Sequence, residues 1–130
     1  MNGFLLDTHI WIWHATASPR LPSALRTLLD REQGQTWLSP VSLWEFTMLA
    51  EWNRYDPKMK TREWIARTIE RAPLREAPLT FAVAERGETL LALGDPADTL
   101  IAATALTYNL TLVTVDRRLR SIKGLRTVSR

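Results

Sequence analysis

The sequence predicts an α/β fold in which helices cover a short, mostly parallel sheet. Short apolar runs bounded by turn residues alternate along the chain with longer segments of helical periodicity. This alternation is typical of βαβ units, whose strands pair in parallel. The 130 residues are enough for one hydrophobic core and too few for two, so we expect a single domain over residues 1–130.

Five short segments are predicted to form the strands of the sheet. They are residues 3–6, 36–38, 74–77, 110–115 and 125–128. Three of them are apolar runs, and the run over 110–115 is the strongest strand pattern in the chain. Two of the strands are followed directly by an aspartate, Asp7 and Asp116.

Capping residues and apolar spacing predict the helices between these strands. Ser39 before Pro40, and Asp95 before Pro96, are typical of a helix that begins with a polar cap and a proline at its first position. The predicted helices cover residues 23–32, a segment from 40 onward, and residues 61–72, 80–91 and 96–108. Gly87 is a weak point inside the fourth of them.

The helix that begins at residue 40 carries one carboxylate inside an apolar stripe. Glu45 lies within that stripe, and a carboxylate on a buried face is unfavourable unless a partner such as a bound cation compensates its charge. The stripe, which predicts the buried face, consists of Val41, Trp44, Met48, Leu49 and Trp52.

Six tryptophans are a large number for a chain of this length. Trp37 and Trp44 are predicted to lie in the core. The remaining four exceed what one core can use, and we expect them at a partner interface, with stacking on RNA bases as the alternative. These four are Trp11, Trp13, Trp52 and Trp64.

The composition excludes several classes of protein. The chain has no cysteine, which excludes disulfide scaffolds, thiol catalysis and cysteine-ligated metals, and its two histidines are too few for a typical zinc enzyme. No apolar run approaches the ~18 residues of a membrane-spanning helix. The first residues lack the basic region of a signal peptide, so we expect a cytoplasmic protein without membrane contact.

The charge is moderately basic and dominated by arginine. Seventeen Lys+Arg against fourteen Asp+Glu give a net charge of +3, and fourteen of the seventeen basic residues are arginine. Arginine matches phosphate groups bidentately, which is a weak indication of a nucleic-acid substrate. A GC-rich genome would give the same composition.

Carboxylates occur at positions that the predicted fold brings together. Asp7 and Asp116 follow strands whose carboxyl ends share one edge of the sheet, where ligands bind in open α/β sheets. Asp95 and Asp98 begin a helix at the same edge, and Glu45 belongs to the helix that follows the second strand. Clustered like charges repel unless cations lie between them, and an oxygen-only ligand set favours Mg²⁺ or Mn²⁺.

Each of these carboxylates also has an ordinary structural explanation. Asp95 has the position of a helix cap, and Asp98 lies in the first turn, where its charge favours the helix dipole. Asp7 and Asp116 are common types of turn residue, and Glu45 could extend outward or pair with an arginine. Taken together they favour a metal site, because setting the five aside leaves only nine acidic residues against seventeen basic ones.

Four segments carry a resemblance to a known family. In this order they are LLDTHIWIW, SPVSLWEF, DPADTLIAATAL and LTLVTVDRRL. The ordered set resembles the PIN-domain family, and more narrowly the VapC-type ribonuclease toxins of type II toxin–antitoxin modules. The similarity extends from Gly3 to about Val128, and its specificity comes from the set rather than from any one segment.

This resemblance implies a fold, an activity and a set of partners. The fold is a flavodoxin-like α/β/α sandwich with a short five-stranded parallel sheet, and the activity is Mg²⁺-dependent endoribonuclease cleavage. A homodimer and a cognate antitoxin that blocks the acidic pocket are implied as well. The implied catalytic and metal-binding residues are Asp7, Glu45, Asp98 and Asp116, with Asp95 as an additional acidic position. Thr8 and Thr114 flank two of the aspartates and would orient them or a water.

The chain departs from the family pattern at Thr99, where the family usually has arginine. If that arginine tethers the preceding aspartate or contacts substrate phosphate, Arg117 or Arg118 is expected to take the role. The departure bears on activity and substrate choice more than on the fold.

The expected mechanism uses a metal-activated water and no protein nucleophile, so the products would carry a 5′-phosphate and a 3′-hydroxyl. A metal-free route through the ribose 2′-hydroxyl would need a pair of histidines. His9 and His14 are five residues apart and would not share a helical face cleanly. His9 is close enough to Asp7 in sequence to merit an alanine substitution.

Two other classes of function stay open at this point. A receiver-like phosphoacceptor domain also collects aspartates at strand ends, but it needs a lysine near the last strand, and Lys123 has the wrong local pattern. The second alternative is a PIN-like module that binds RNA or a partner without cutting. The complete acidic quartet argues against it, whereas Thr99 favours it.

Overall fold

The computed structural model describes residues 3–52 and 55–130, and its helices pack on both faces of a five-stranded parallel sheet. The strands are β1 (Phe4–Leu6), β2 (Thr36–Leu38), β3 (Arg75–Glu76), β4 (Thr111–Val113) and β5 (Thr127–Val128). The helices are α1 (Thr8–Ala15), α2 (Ser23–Arg31), α3 (Pro40–Glu51), α4 (Thr61–Arg71), α5 (Phe81–Arg86), α6 (Pro96–Tyr108) and α7 (Arg117–Arg120). The predicted α/β fold with a short parallel sheet is therefore confirmed.

Several helix ends follow from the local sequence. The Ser39 hydroxyl accepts a hydrogen bond from the backbone N–H of Val41 at the start of α3, as expected for its cap. The helix predicted over 80–91 is instead α5 followed by a 3-10 helix over Gly87–Leu93. The change occurs at Gly87, the residue with the least helical preference in that segment.

The strand order of the sheet is β3-β2-β1-β4-β5, so β1 lies in the middle between β2 and β4. In receiver domains β1 lies between β2 and β3. Lys123, the lysine that a receiver domain would need, is exposed in the turn between α7 and β5. Both observations argue against a phosphoacceptor domain.

Two hydrophobic clusters cover the opposite faces of the sheet. Leu5 and Leu112, which are paired across β1 and β4, belong to one cluster together with α5 and α6. Their neighbours Leu6 and Val113 belong to the other, together with residues of α1 to α4. Because successive strand residues point to opposite faces, β1 and β4 contribute to both clusters and are buried on both sides.

An aromatic group fills the second cluster. Phe46 is fully buried and stacks on Trp64 with ring centroids 4.1 Å apart, and Trp11 meets both rings edge-on at 5.9 and 5.4 Å. The expectation that Trp11 and Trp64 are surplus to the core is wrong, since they are only 2% and 8% exposed. The sequence prediction failed because α1 and α4 both cover one face of the sheet, which leaves room for several rings.

The predicted buried face of α3 is wrong at Trp44 and Trp52, although Val41 of the same stripe is buried. Trp44 and Trp52 are 58% and 59% exposed, whereas Val41, Ser42 and Phe46 are buried. The helix has apolar residues on nearly every side, so its spacing alone does not identify the inner face. Trp37 is partly buried against the first cluster, and Trp13 is partly buried against the second.

Two helices, α1 and α7, were not among the predicted elements. Each begins directly after a strand-ending aspartate, Asp7 or Asp116, and each aspartate caps the helix that follows it. Across residues 3–52 and 55–130, no helix combines the length and the hydropathy needed to cross a membrane.

The orientation of α3 gives a stability prediction. Phe46→Ala is expected to lower the free energy of unfolding by about 3–5 kcal/mol, because it removes a fully buried ring and leaves a cavity. Trp44→Ala, two residues earlier on the same helix, is expected to change it by no more than ~0.5 kcal/mol. Urea denaturation monitored by circular dichroism measures both, and similar losses in the two variants would contradict this orientation.

Candidate active site

The carboxyl ends of β1 and β4 are adjacent, and each is followed by an aspartate. Asp7 follows β1 and Asp116 lies three residues beyond the end of β4, so the two side chains begin from neighbouring positions in the sheet. The backbone N–H of Asp7 donates to the carbonyl oxygen of Val113 at 3.0 Å, which continues the pairing of β1 with β4. The parallel pairing of β1 with β4 therefore brings both aspartates to the same edge of the sheet.

Asp7 is held from two sides. One carboxylate oxygen accepts a hydrogen bond from the backbone N–H of Thr8 at 2.9 Å, and the other accepts one from the Thr114 hydroxyl at 2.7 Å. The Thr114 hydroxyl also accepts from the backbone N–H of Asp116 at 3.1 Å. Thr114 is fully buried and Asp7 is only 8% exposed, so the orientation of this carboxylate is fixed before any ligand binds.

Glu45 reaches the site from α3. One turn earlier on the same helix, the buried Ser42 accepts a hydrogen bond from the Thr8 hydroxyl at 2.8 Å. This contact ties α3 to the start of α1, where Thr8 follows Asp7. Ser42 is a positioning residue that the sequence analysis missed, and its only signal was its place one turn before Glu45 in SPVSLWEF.

Asp95 and Asp98 lie at the start of α6. The Asp95 carboxylate accepts a hydrogen bond from the backbone N–H of Asp98 at 3.0 Å, so the capping explanation holds for Asp95. Asp98 occupies the first turn, and its side chain is 13% exposed. Asp95 therefore serves as a cap and at the same time adds negative charge beside the other carboxylates.

The pKa values show how closely the acidic side chains approach one another. Burial raises the pKa of Asp98 to about 7, and repulsion by four neighbouring carboxylates acts in the same direction. In decreasing order of effect, these neighbours are Asp95, Asp7, Asp116 and Glu45. All five predicted acidic residues are thus electrostatically coupled in one site.

Burial also raises the pKa values of Asp7 and Glu45. For Asp7, hydrogen bonds from Thr114 and Thr8 and the charge of His9 oppose the shift without cancelling it. For Glu45, the Thr8 hydroxyl and His9 oppose it in the same way. His9, which is exposed at the start of α1, therefore lies within electrostatic reach of both carboxylates.

Arg118 bridges two of the carboxylates. Its Nη2 atom donates to Asp98 at 2.7 Å and to Asp116 at 3.1 Å, while Nη1 donates to the carbonyl oxygen of Leu93 at 3.2 Å. Burial acts to raise the pKa of Asp116, but the hydrogen bonds and charge of Arg118 outweigh it and hold that pKa below its usual value. The neighbouring Arg117 is exposed.

The chemistry of these donors suits a divalent cation. Carboxylate oxygens in a partly buried, like-charged group are the ligands that Mg²⁺ and Mn²⁺ prefer, and a cation would relieve the repulsion that raises the pKa of Asp98. Among the described residues, no three such side chains lie close enough together to hold an ion as they stand. The ion pairs of Arg118 engage oxygens of Asp98 and Asp116 that a cation would need.

Comparison with known proteins identifies the family. The family model described as "PIN domain" matches residues 4–125. The chain belongs to the PIN domain family. Ribonuclease VapC22 from Mycobacterium tuberculosis (strain ATCC 25618 / H37Rv) is 33% identical over 131 residues, which cover 99% of this chain and 98% of that protein.

Solved structures agree with this PIN domain fold. DNA-bound VapBC from Salmonella typhimurium matches with a TM-score of 0.72 and 22% identity, covering 98% of both chains. VapBC2 from Rickettsia felis bound to a promoter DNA fragment matches with a TM-score of 0.71 and 19% identity, again over 98% of each. At 19% and 22% identity, the similarity to these two structures supports the fold alone.

Thr99, where the chain departs from the family pattern, does not take part in the ion pairs of the acidic site. Thr99 is buried, and its hydroxyl makes only a long hydrogen bond of 3.5 Å to the carbonyl oxygen of Leu90. Arg118, from α7, provides the guanidinium beside Asp98 instead. Arg118 thus contacts the aspartate that precedes Thr99, whereas the expectation that Arg117 or Arg118 takes over the role of the missing arginine stays a prediction.

The raised pKa of Asp98 gives a stability prediction for the metal-free protein. Its ordinary pKa is 3.8 and its folded-state pKa is about 7, so the folded protein binds this proton more tightly than the unfolded chain. The free energy of unfolding should therefore fall as the pH rises from about 4 to about 7. Asp98→Asn removes this titration, and near pH 8 it is expected to be more stable than the wild type by about 1–3 kcal/mol.

The lost ion pair with the exposed Arg118 offsets only ~0–1 kcal/mol of this gain. Thermal denaturation in EDTA at several pH values measures the difference between the two proteins. A variant that is less stable than the wild type at every pH would show that the Arg118 pair, rather than repulsion, dominates at Asp98.

Proposed function

We propose that the protein is a Mg²⁺-dependent endoribonuclease that hydrolyses RNA phosphodiester bonds and acts as the toxin of a type II toxin–antitoxin pair. The observation that carries this proposal is the electrostatic coupling of carboxylates from four separate segments at the ends of β1 and β4. The proposed catalytic and metal-binding residues are Asp7, Glu45, Asp98 and Asp116, with Asp95 as an additional acidic group.

Membership of the PIN domain family and the 33% identity to a protein named a ribonuclease support the reaction class. In the PIN domain of this chain, the groups that orient Asp7 are already in place. Thr114 holds one oxygen of Asp7 and also receives the backbone N–H of Asp116, so a single buried hydroxyl sets two acidic groups relative to each other. Such support of ligand carboxylates is typical of metal sites.

A divalent cation bound here would supply Lewis acidity and a more acidic water, as in other metal-assisted hydrolyses. The proposed carboxylates would hold the cation, and Asp7 and Asp98 are largely shielded from solvent. Arg118 lies beside Asp98 and Asp116, where it would neutralise negative charge or contact a phosphate oxygen of the RNA. Mn²⁺ is expected to substitute for Mg²⁺, because both prefer oxygen ligands.

The proposed partners are a cognate antitoxin and a second copy of the chain. The matched VapBC structures support an antitoxin as partner. Several large apolar side chains are exposed where such contacts could form: Trp44, Leu79, Phe81 and Leu91. Exposed aromatic rings are enriched at protein interfaces. A cytoplasmic location is proposed with the toxin role.

Cleavage of RNA tests the catalytic assignment. Purified protein is expected to cut total RNA at discrete sites with Mg²⁺ or Mn²⁺ and not with EDTA. Asp7→Asn and Asp98→Asn should each reduce the rate by at least ~100-fold, since each removes a proposed ligand charge. Asp56→Asn is the matched control, because Asp56 is exposed and its ion pair with Lys58 lies outside the proposed acidic set. Mapping the ends should give 5′-phosphates and 3′-hydroxyls.

Cutting that survives EDTA or both substitutions would show that the carboxylate assignment is wrong. If the protein binds RNA or an antitoxin but does not cut and shows no affinity for Mn²⁺, the binding-only PIN module is the better description. The bridge made by Arg118 is the structural feature that would favour that outcome.

Metal affinity tests the role of Arg118. Arg118→Ala is expected to tighten the binding of Mn²⁺ to the RNA-free protein roughly fivefold, or ~1 kcal/mol, because it frees oxygens of Asp98 and Asp116. Isothermal titration calorimetry measures the affinity, with Arg117→Ala as the control. Weaker binding in the Arg118 variant would mean that its guanidinium holds the two carboxylates in a metal-binding arrangement.

A further inference from the structure

A groove of about 580 Å³ opens beside two of the acidic residues, Glu45 and Asp95. It is also lined by His9 and Trp13 of α1, by Arg20 in the loop that follows, and by Tyr55. Its volume is within the range of small-ligand sites. The groove is thus continuous with the candidate active site.

We propose that this groove receives an unpaired nucleotide next to the scissile phosphate, with its base stacked on Trp13 and its phosphate paired with Arg20. This inference rests on the proposed ribonuclease function and assigns to it one residue that stacks on a base and one that pairs with a phosphate. The bases of a duplex are stacked inside the helix, so only an unpaired base can lie against a protein ring.

Trp13 is suited to be a fixed platform. Its ring is partly buried against the second hydrophobic cluster, and the exposed part lines the groove. His9, one helical turn earlier, lies with its ring centroid 5.9 Å away and tilted by 54°. The two rings therefore form a corner rather than a slot, and a base can stack on one while its edge faces the other. A ring held by the core loses little freedom when a base binds.

Arg20 provides the complementary charge in the groove that Glu45 and Asp95 also line. Hydrogen bonds hold the loop that carries it, among them those from the backbone N–H of Arg20 to the Ser18 hydroxyl at 3.2 Å and from Arg26 to the Ser18 carbonyl oxygen at 2.8 Å. In the part of the chain that the structure describes, no carboxylate pairs with the Arg20 side chain. Its guanidinium is therefore available for a phosphate.

The groups that line the groove match a nucleotide chain better than a peptide. Acidic groups that would hold cations, a flat ring and a guanidinium all line it. An RNA strand offers phosphates and bases to such a set, and stacking on an aromatic ring with backbone pairing is the usual way in which proteins bind single strands.

Fluorescence anisotropy with two labelled chains tests this inference. The probes are a short oligouridine and an abasic ribose-phosphate chain of equal length, measured with Mn²⁺ in an Asp7→Asn background that prevents cutting. Trp13→Ala is expected to weaken oligouridine binding about tenfold and to leave abasic binding unchanged. Arg20→Ala is expected to weaken both chains equally and to reduce the slope of log affinity against log salt by about 1.

Three controls keep the result specific to the groove. Trp44→Ala and Arg31→Ala remove an exposed ring and an exposed guanidinium elsewhere, and both should bind like the parent. Trp13→Phe, which keeps a flat ring, should restore most of the binding lost in Trp13→Ala.

The proposal is overturned if the Trp13 and Arg20 variants bind both chains like the parent, or if Trp13→Ala weakens both chains equally. It is also overturned if the parent binds neither chain. Cleavage by the wild type is a separate measurement, so a protein that binds through this groove without cutting would contradict the proposed nuclease function alone.

Discussion

The concentration of negative charge at the ends of β1 and β4 is the constraint on which the rest of this PIN domain depends. Five carboxylates from four segments interact there, and burial together with their repulsion raises the pKa of Asp98 to about 7. Such a group is unfavourable to folding unless other contacts hold it together. The protein meets this requirement with a buried hydroxyl, backbone N–H groups at helix starts and one bridging arginine.

These contacts divide the carboxylates into two kinds. Asp7 is fixed by Thr114 and by its own helix start, and neither contact needs to break for a cation to approach its free electron pairs. Asp98 and Asp116 are instead joined through Arg118, whose side chain is 53% exposed and free to move away at little cost. The site therefore combines a rigid carboxylate, Asp7, with an adjustable pair, Asp98 and Asp116. The arrangement of the adjustable pair depends on Arg118, two positions after Asp116.

Much of the fold was predictable because strands and caps are local features. The strands of the sheet and the caps at Ser39 and Asp95 follow from short runs and single residues. The face of α3 could not be predicted, because a helix that is apolar on nearly every side carries no signal for its orientation. That orientation depends on the stack of Phe46 with Trp64, a partner eighteen residues further along the chain.

The same difference between local features and long-range contacts explains how much of the site could be predicted from the sequence. Asp7, Asp95, Asp98 and Asp116 were predictable as a group because strand ends and helix starts share one edge of a parallel sheet. The role of Ser42 and the bridge made by Arg118 were harder to predict, because each depends on a contact between side chains distant in sequence. Thr8 and Ser42 are 34 positions apart, and Asp98 and Arg118 are 20 positions apart. Thr99 was visible as a departure, but only the structure shows which arginine lies beside Asp98.

Helix α1 connects the charged site to the groove beside it. Asp7 caps this helix, Thr8 ties it to α3, and His9 and Trp13 follow on its next turns. Because Trp11 and Ile10 anchor the helix in the second cluster, its rings and its capping carboxylate move as one body. A substrate aligned on Trp13 would therefore also be aligned on Asp7. The capping contact that begins the helix thus sets the geometry of both sites.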